Sequence, residues 1–216
     1  NDGISLINVV EGALNEQSGA VIRLKELATQ GSSETLGAFE RQTLDLEIAS
    51  LVAEIDRIAA TTEFNSRTLL DGSLAQSVQA SEQIFIQIGT DSRSASRINL
   101  NTELNISASN STQLGINNLS VSTCKDAQSA LDDIATALET LNFARGGAGA
   151  VQNRFVKSLG TLTVAIQNLT AADSTLRDAD IAEELALLTR NQIIAMTSIS
   201  MVGQTNLAGQ DLLDIL

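Results

Sequence analysis

The chain has 216 residues, 43% of them hydrophobic, with 26 acidic side chains against 13 basic ones and a net charge of -13. That length suits one elongated domain, or a compact one with a tail, and excludes two large globular domains. The charge excludes nucleic acid, which needs a basic footprint, and argues against docking on an anionic membrane.

Trp, Tyr, His and Pro are all absent and only five Phe are present. A compact core would lack its bulky fillers, whereas long helices packed through Leu, Ile, Val and Ala would run without proline interruption. The single cysteine, Cys124, can form no internal disulfide, and no ligand cluster for a metal or cofactor stands out. No continuous run of about 18 apolar residues predicts a membrane span, and no charged-then-apolar leader opens the chain. Its first residues already have the character of helix interior, so a further N-terminal segment is expected ahead of Asn1.

Taken in order, the first segment, 4–30, places Ile7, Val10, Leu14, Val21, Leu24 and Ala28 at alternating spacings of three and four, with Gln17 filling the gap. This is a heptad seam. Gly31-Ser32-Ser33 supplies a stop and a short loop. A second helix, 37–61, repeats the pattern with Leu44, Ile48, Leu51, Ile55 and Ile58, and Glu40 is placed to cap its first turn. Two such helices joined by a short loop lie antiparallel and need a third to cover their apolar faces.

The period then changes. Ile84, Ile86 and Ile88 alternate with Phe85 and Gln87, and Ile98 and Leu100 follow a turn-rich Gly89-Thr90-Asp91-Ser92, which predicts a small hairpin over about 83–100. Residues 101–123 are rich in Asn, Ser and Thr with little periodicity and read as a surface loop. A long helix is predicted over 123–169, and the whole chain is organised around its stretch Ala148 to Phe155. Gly146, Gly147 and Gly149 weaken that helix, each by up to about 1 kcal/mol relative to Ala, so either it bends there or a neighbour packs close.

A break is expected at Ala172-Asp173-Ser174, and Asp180 with Glu183 resembles a capping box opening a final helix. That helix is apolar on several sides: Leu185, Leu188, Ile194, Ile199 and Val202 join Leu187, Ile193, Met196 and Met201. A helix so apolar must be covered by a partner or an assembly. The fold class expected is mainly α: an elongated antiparallel helical rod, a coiled-coil-like bundle, with a small β-hairpin region and a C-terminal helix. Its division is a rod core over 1–172 and a C-terminal region over 173–216.

These residues also carry a family resemblance. Asn1-Asp2-Gly3-Ile4-Ser5-Leu6, Glu11-Gly12-Ala13-Leu14-Asn15-Glu16, Arg23 to Gln30, Glu54-Ile55-Asp56-Arg57-Ile58 and Phe64-Asn65 resemble the N-terminal region of bacterial flagellin. Gly149 to Phe155, Asp178 to Glu184 and Leu188 to Ile193 resemble its C-terminal region. The resemblance covers roughly three quarters of the chain and is weakest over 74–125.

It implies a flagellar filament subunit that is exported unfolded and assembles with copies of itself. An export chaperone, the filament cap and hook-junction proteins are then further partners, and the location is secreted, in the extracellular filament. The variable outer domain is reduced to residues 101–123 or absent. Without the terminal helix that the family carries before Asn1, the chain as it stands is expected not to polymerise.

The resemblance also implies recognition by a Toll-like innate receptor through Arg23, Leu27, Gln30 and Glu47, with Ile22 and Lys25 departing from the Gln and Arg of receptor-binding forms. Arg23 and Leu27 stand one helical turn apart and would present a charge and an apolar contact together; the alternative tucks Leu27 toward the core. A hook-filament junction protein and a helical signalling rod are the other readings. An enzyme is not expected, because Asp132-Asp133 and Glu183-Glu184 diverge by about 100 degrees on a helix and no nucleophile, base or metal set accompanies them. With no His, a His-Glu-x-x-His zinc site is excluded. Asn-x-Ser/Thr triplets begin at Asn105, Asn110, Asn118 and Asn168, and the loop 101–123 is the candidate for glycosylation.

Overall fold

The structure, a computed structural model, describes residues 1–89 and 91–213, with the side chains of 178–180 and 206–213 outside that description. It is mainly helical: α1 (Asp2–Gly31), α2 (Ala38–Thr61), a short α3 (Leu100–Leu104) and a long α4 (Cys124–Leu213). The chain divides into an N-terminal unit, Asn1–Leu162, and a C-terminal unit from Thr163 onward.

In the N-terminal unit the heptad seam of α1 forms the core. Ile7, Val10, Leu14, Gln17, Val21, Leu24 and Ala28 are all fully buried, and Leu44, Ile48 and Ile55 of α2 close over them. Gln17 bonds Ile55, Arg23 bonds Glu47 and Arg41 bonds Gly31, so α1 and α2 run in opposite directions. The first part of α4 lies antiparallel to α1 by the same logic, since Gln152 bonds Asn8 at 2.7 Å and Cys124 Sγ donates to the carbonyl of Ser32 at 3.0 Å. Ala127, Ile134, Leu141, Ala148, Val151 and Phe155 of α4 enter the shared core. Beyond Phe155 the same stripe, at Leu159, Ile166 and Leu169, is exposed.

Two close approaches fix this packing. A Cβ at Gly31 would fall 2.8 Å from the Cβ of Val121, so only glycine lets that segment lie on the end of α1. At the other end, Gly3 receives the ring of Phe155, whose Cζ sits 3.1 Å from where a Cβ would be.

At the weak point in α4 no neighbour packs against bare backbone. A Cβ at Gly146 or Gly149 would meet nothing within 4 Å, and at Gly147 it would meet only the Leu104 carbonyl at 3.6 Å, an ordinary contact.

Several expectations are corrected. Glu40 makes no capping hydrogen bond; α2 starts at an extended Gly37, and the Glu40 carboxylate lies back over it. No break occurs at 172–174, because α4 passes through it as helix. Ala172 is a strong helix former, and Asp173 pairs with Arg177 one turn on at 3.1 Å instead of capping. Glu183 therefore stands mid-helix, and the side chain of Asp180 lies outside the described residues. The N-terminal cap of α4 is instead Thr123, whose hydroxyl accepts from Asp126 N at 3.1 Å and donates to its carboxylate at 2.6 Å.

Residues 101–123 are not a surface loop. They open within α3 and continue as an irregular segment that buries Ile106, Leu114, Ile116 and Val121 together with Ser109 and Ser111. Long-range side chains satisfy its backbone: Asp56 accepts from Ser111 N and Oγ at 2.7 and 2.8 Å, and Asp45 accepts from Val121 N and Ser122 Oγ at 2.6 and 2.8 Å. Asn99 caps α3 by accepting from Asn101 N at 3.0 Å.

Two small hairpins complete the unit. β1 (Glu63–Phe64) pairs with β2 (Arg67–Thr68) across Asn65 and Ser66, both at positive φ (52° and 60°), the conformation that a two-residue hairpin turn requires. β3 (Phe85–Gln87) pairs antiparallel with β4 (Arg97–Asn99), with Ile86 opposite Ile98 and the buried Ile84 and Ile98 on the core side.

Candidate assembly surface

In the C-terminal unit every side chain described from Thr163 to Thr205 is exposed. Leu185, Leu188, Ile194, Ile199 and Val202 are among them, as are Leu187, Ile193, Met196 and Met201. Successive residues of a helix diverge by about 100 degrees, so the adjacent pairs Leu187-Leu188 and Ile193-Ile194 put apolar surface on more than one face. Each such side chain would gain about 1.5–3 kcal/mol on leaving water.

The threonines of this helix do not oppose that transfer. Thr189 donates to the Leu185 carbonyl and Thr205 to the Met201 carbonyl, both at 2.8 Å, and Thr197 donates to Ile193. Their hydroxyls are satisfied within the helix, so a dry contact leaves no threonine donor stranded.

One stretch of α4 is long and apolar enough by composition to cross a membrane, with none of it buried. A search for uninterrupted apolar residues misses it, because the average tolerates interspersed polar positions. The same exposed apolarity is what a subunit contact needs.

The four residues tied by resemblance to receptor recognition divide. Arg23 donates from Nε and Nη2 to one oxygen of Glu47 at 2.9 and 2.8 Å, and from Nη1 to Glu26 at 2.9 Å. Glu47 first, then Glu26, holds the guanidinium pKa above its ordinary value. Arg23, Gln30 and Glu47 are exposed, whereas Leu27 is 1% exposed and packs into the core. The contact that pairs a charge with Leu27 is therefore not presented on this surface.

No cluster of His, Cys, Asp or Glu capable of holding a metal occurs among the described residues. Asp132 and Asp133 are solvated.

A helical unit with an ordered core, continued by a helix whose described apolar side chains are exposed, defines a structural subunit built to associate. Comparison with known proteins places it. Residues 1–75 match the bacterial flagellin N-terminal helical region and residues 131–216 its C-terminal helical region. The chain is 37% identical over its whole length to flagellin of Halalkalibacterium halodurans, spanning 75% of that relative. It is 31% identical to flagellin FlaB1 of Treponema pallidum, spanning 77% of it. The crystal structure of Bacillus cereus flagellin superposes with a TM-score of 0.60 at 27% identity, over 74% of this chain and 85% of that one.

The chain belongs to the bacterial flagellin family, whose members are structural subunits of the flagellar filament and not enzymes. The interval between the two matched regions, 76–130, is the part that carries the β3–β4 hairpin, α3 and the embedded segment.

Proposed function

We propose that the C-terminal unit is the element through which this subunit joins the filament. Leu185, Leu188, Ile194, Ile199 and Val202 pass from water into contact with other copies, and the single observation supporting this is an apolar helix with every described side chain exposed. Repeated identical contacts that do not close on themselves generate a helical polymer. The subunit reaches the filament tip by secretion, with an export chaperone covering the same apolar faces beforehand. Cap and hook-junction proteins meet it at the two ends of the filament.

Seeded growth tests the reading. The chain, alone and with a flagellin N-terminal helix placed ahead of Asn1, is mixed with filament fragments and followed by sedimentation and electron microscopy. Long filaments growing from the seeds are expected with the added helix. Chains that cap the seeds and stop would move the hook-filament junction reading ahead.

A second activity rests on the Arg23–Glu47 pair, held exposed with Gln30 also at the surface: recognition by a Toll-like receptor. Arg23→Ala is expected to weaken signalling by tenfold or more in a receptor reporter assay, since the fork of donors is lost. An unchanged dose response would reject this assignment.

A further inference from the structure

Readily oxidised side chains are few in this chain and unevenly placed. It has no Trp, Tyr or His, one Cys and two Met. Cys124 is half-buried, and its Sγ donates to the Ser32 carbonyl at 3.0 Å. Both methionines, Met196 and Met201, lie on the C-terminal helix and are 69% and 72% exposed. A peroxide that meets the free chain therefore finds both thioethers open, on the helix through which the subunit joins the filament.

The two sulfurs stand on different lines of that helix. Eleven residues make about three whole turns, so residues eleven apart lie nearly in line. Met196 follows Leu185 by eleven, and Ile199 follows Leu188 by eleven. Those lines adjoin, because Met196 and Ile199 are one turn apart, and together they form an apolar stripe broken by Gln192. Met201 follows Arg190 by eleven instead, and the positions one turn from it are Thr197, Ser198, Gln204 and Thr205. A contact that covers this helix gains by drying the Met196 stripe and by leaving the Arg190 line wet, since an unpaired guanidinium is costly to bury.

Oxygen transfer changes what such a contact meets at position 196. The Met196 sulfur attacks one oxygen of hydrogen peroxide, the O–O bond breaks and water leaves, so the thioether is oxidised by two electrons to the sulfoxide as the peroxide is reduced. A flexible apolar side chain becomes a polar one with an acceptor oxygen. In water that oxygen is satisfied. In a dry contact against other apolar side chains it has no donor, and its desolvation is uncompensated. The leucines and isoleucine of the stripe undergo no such change, so the sulfur makes the stripe's apolarity conditional.

We infer that Met196 is a modification site: its oxidation to the sulfoxide by a peroxide withholds a free subunit from the filament, and entry into the filament shields it from the same oxidant. The inference rests on the filament reading and adds to it a chemical condition on entry.

The test uses the Cys124→Ser chain with a flagellin N-terminal helix free of methionine ahead of Asn1, so that Met196 and Met201 are the only sulfurs. The chain is treated with hydrogen peroxide, quenched with catalase and added to filament seeds; peptide mass spectrometry locates the added oxygen and sedimentation follows growth. Both methionines are expected to take up oxygen, and elongation to slow by about tenfold or more. Met196→Leu, treated alike, should elongate within about twofold of its untreated rate, whereas Met201→Leu should stay slowed. In filaments grown first and then treated, Met196 should react more slowly than in the free chain by about tenfold or more. The melting temperature of the N-terminal unit, which contains no methionine, should not move. Ordinary elongation of the oxidised chain, equal slowing of oxidised Met196→Leu, or oxidation of Met196 in filaments at the free-chain rate would overturn the site and leave the filament reading standing. Failure of the untreated chain to grow on the seeds would remove the filament reading, and this site with it.

Discussion

Replacing Arg41 by methionine is expected to lower the stability of the N-terminal unit by about 3 kcal/mol, which for a domain of this size lowers Tm by about 9 °C. Arg41 is buried in α2, yet its guanidinium faces backbone carbonyls. Nη1 donates to the carbonyl of Gly31 and, at 3.4 Å, to that of Val121, and Nη2 donates to Ser33 at 2.7 Å. Gly31 and Ser33 lie where α1 ends, so their carbonyls have no partner further along the helix and stand at the negative end of its dipole.

One side chain therefore ties together the end of α1, the loop into α2 and the segment leading to α4. Methionine keeps most of the volume, so the loss would come from uncovered carbonyls rather than from a cavity. Arg41→Lys should lose about half as much, because a point charge reaches one carbonyl where the planar fork reaches three. Urea unfolding followed by circular dichroism measures both. An Arg41→Met change below about 0.5 kcal/mol would show that water replaces the guanidinium at no cost.

The parts of this fold that a sequence shows are those with a local cause. The α1 and inner α2 seams are visible because burial on one helical face imposes a period, and the residues that keep it, from Ile7 to Ala28, are the ones buried. Leu27 shows what happens when resemblance competes with that period. It stands three residues after Leu24 and so belongs to the inner stripe, and the structure buries it there.

Residues 101–123 were obscure for the opposite reason. Their Asn, Ser and Thr look like loop, but the groups that make them core are Asp45, Asp56 and Gln17, the last donating to Ser109 O at 3.0 Å from 92 residues away. Gln17 itself looks like a gap in a seam, and it fills the gap by bonding both Ile55 and Ser109. The β1–β2 hairpin escapes notice because two-residue strands are too short to alternate. The exposed C-terminal helix was legible outright, since an all-round apolar helix is a property of composition and needs no partner to be recognised.

A single aspartate at position 199 is expected to stop filament growth and leave the monomer intact. Ile199 is 73% exposed, so Ile199→Asp removes almost no contact from the isolated chain. The change in helix propensity is a few tenths of a kcal/mol, too little to unfold the C-terminal unit alone. In a filament that covers this helix the same change forfeits about 2 kcal/mol of apolar burial and adds the cost of desolvating an unpaired carboxylate, several kcal/mol more.

A combined penalty of about 5 kcal/mol raises the concentration needed for growth by more than a thousandfold. Ile199→Asn separates the two causes: it loses the burial but carries no charge, and should poison growth less. Ile199→Leu, which conserves volume, should grow nearly as the unsubstituted chain does. Sedimentation of seeded reactions across a concentration series, each chain carrying the flagellin N-terminal helix ahead of Asn1, gives all three values. If Ile199→Asp polymerises at the ordinary concentration, position 199 faces water in the filament, and the exposed apolar side chains on the other faces of the helix must supply the contact.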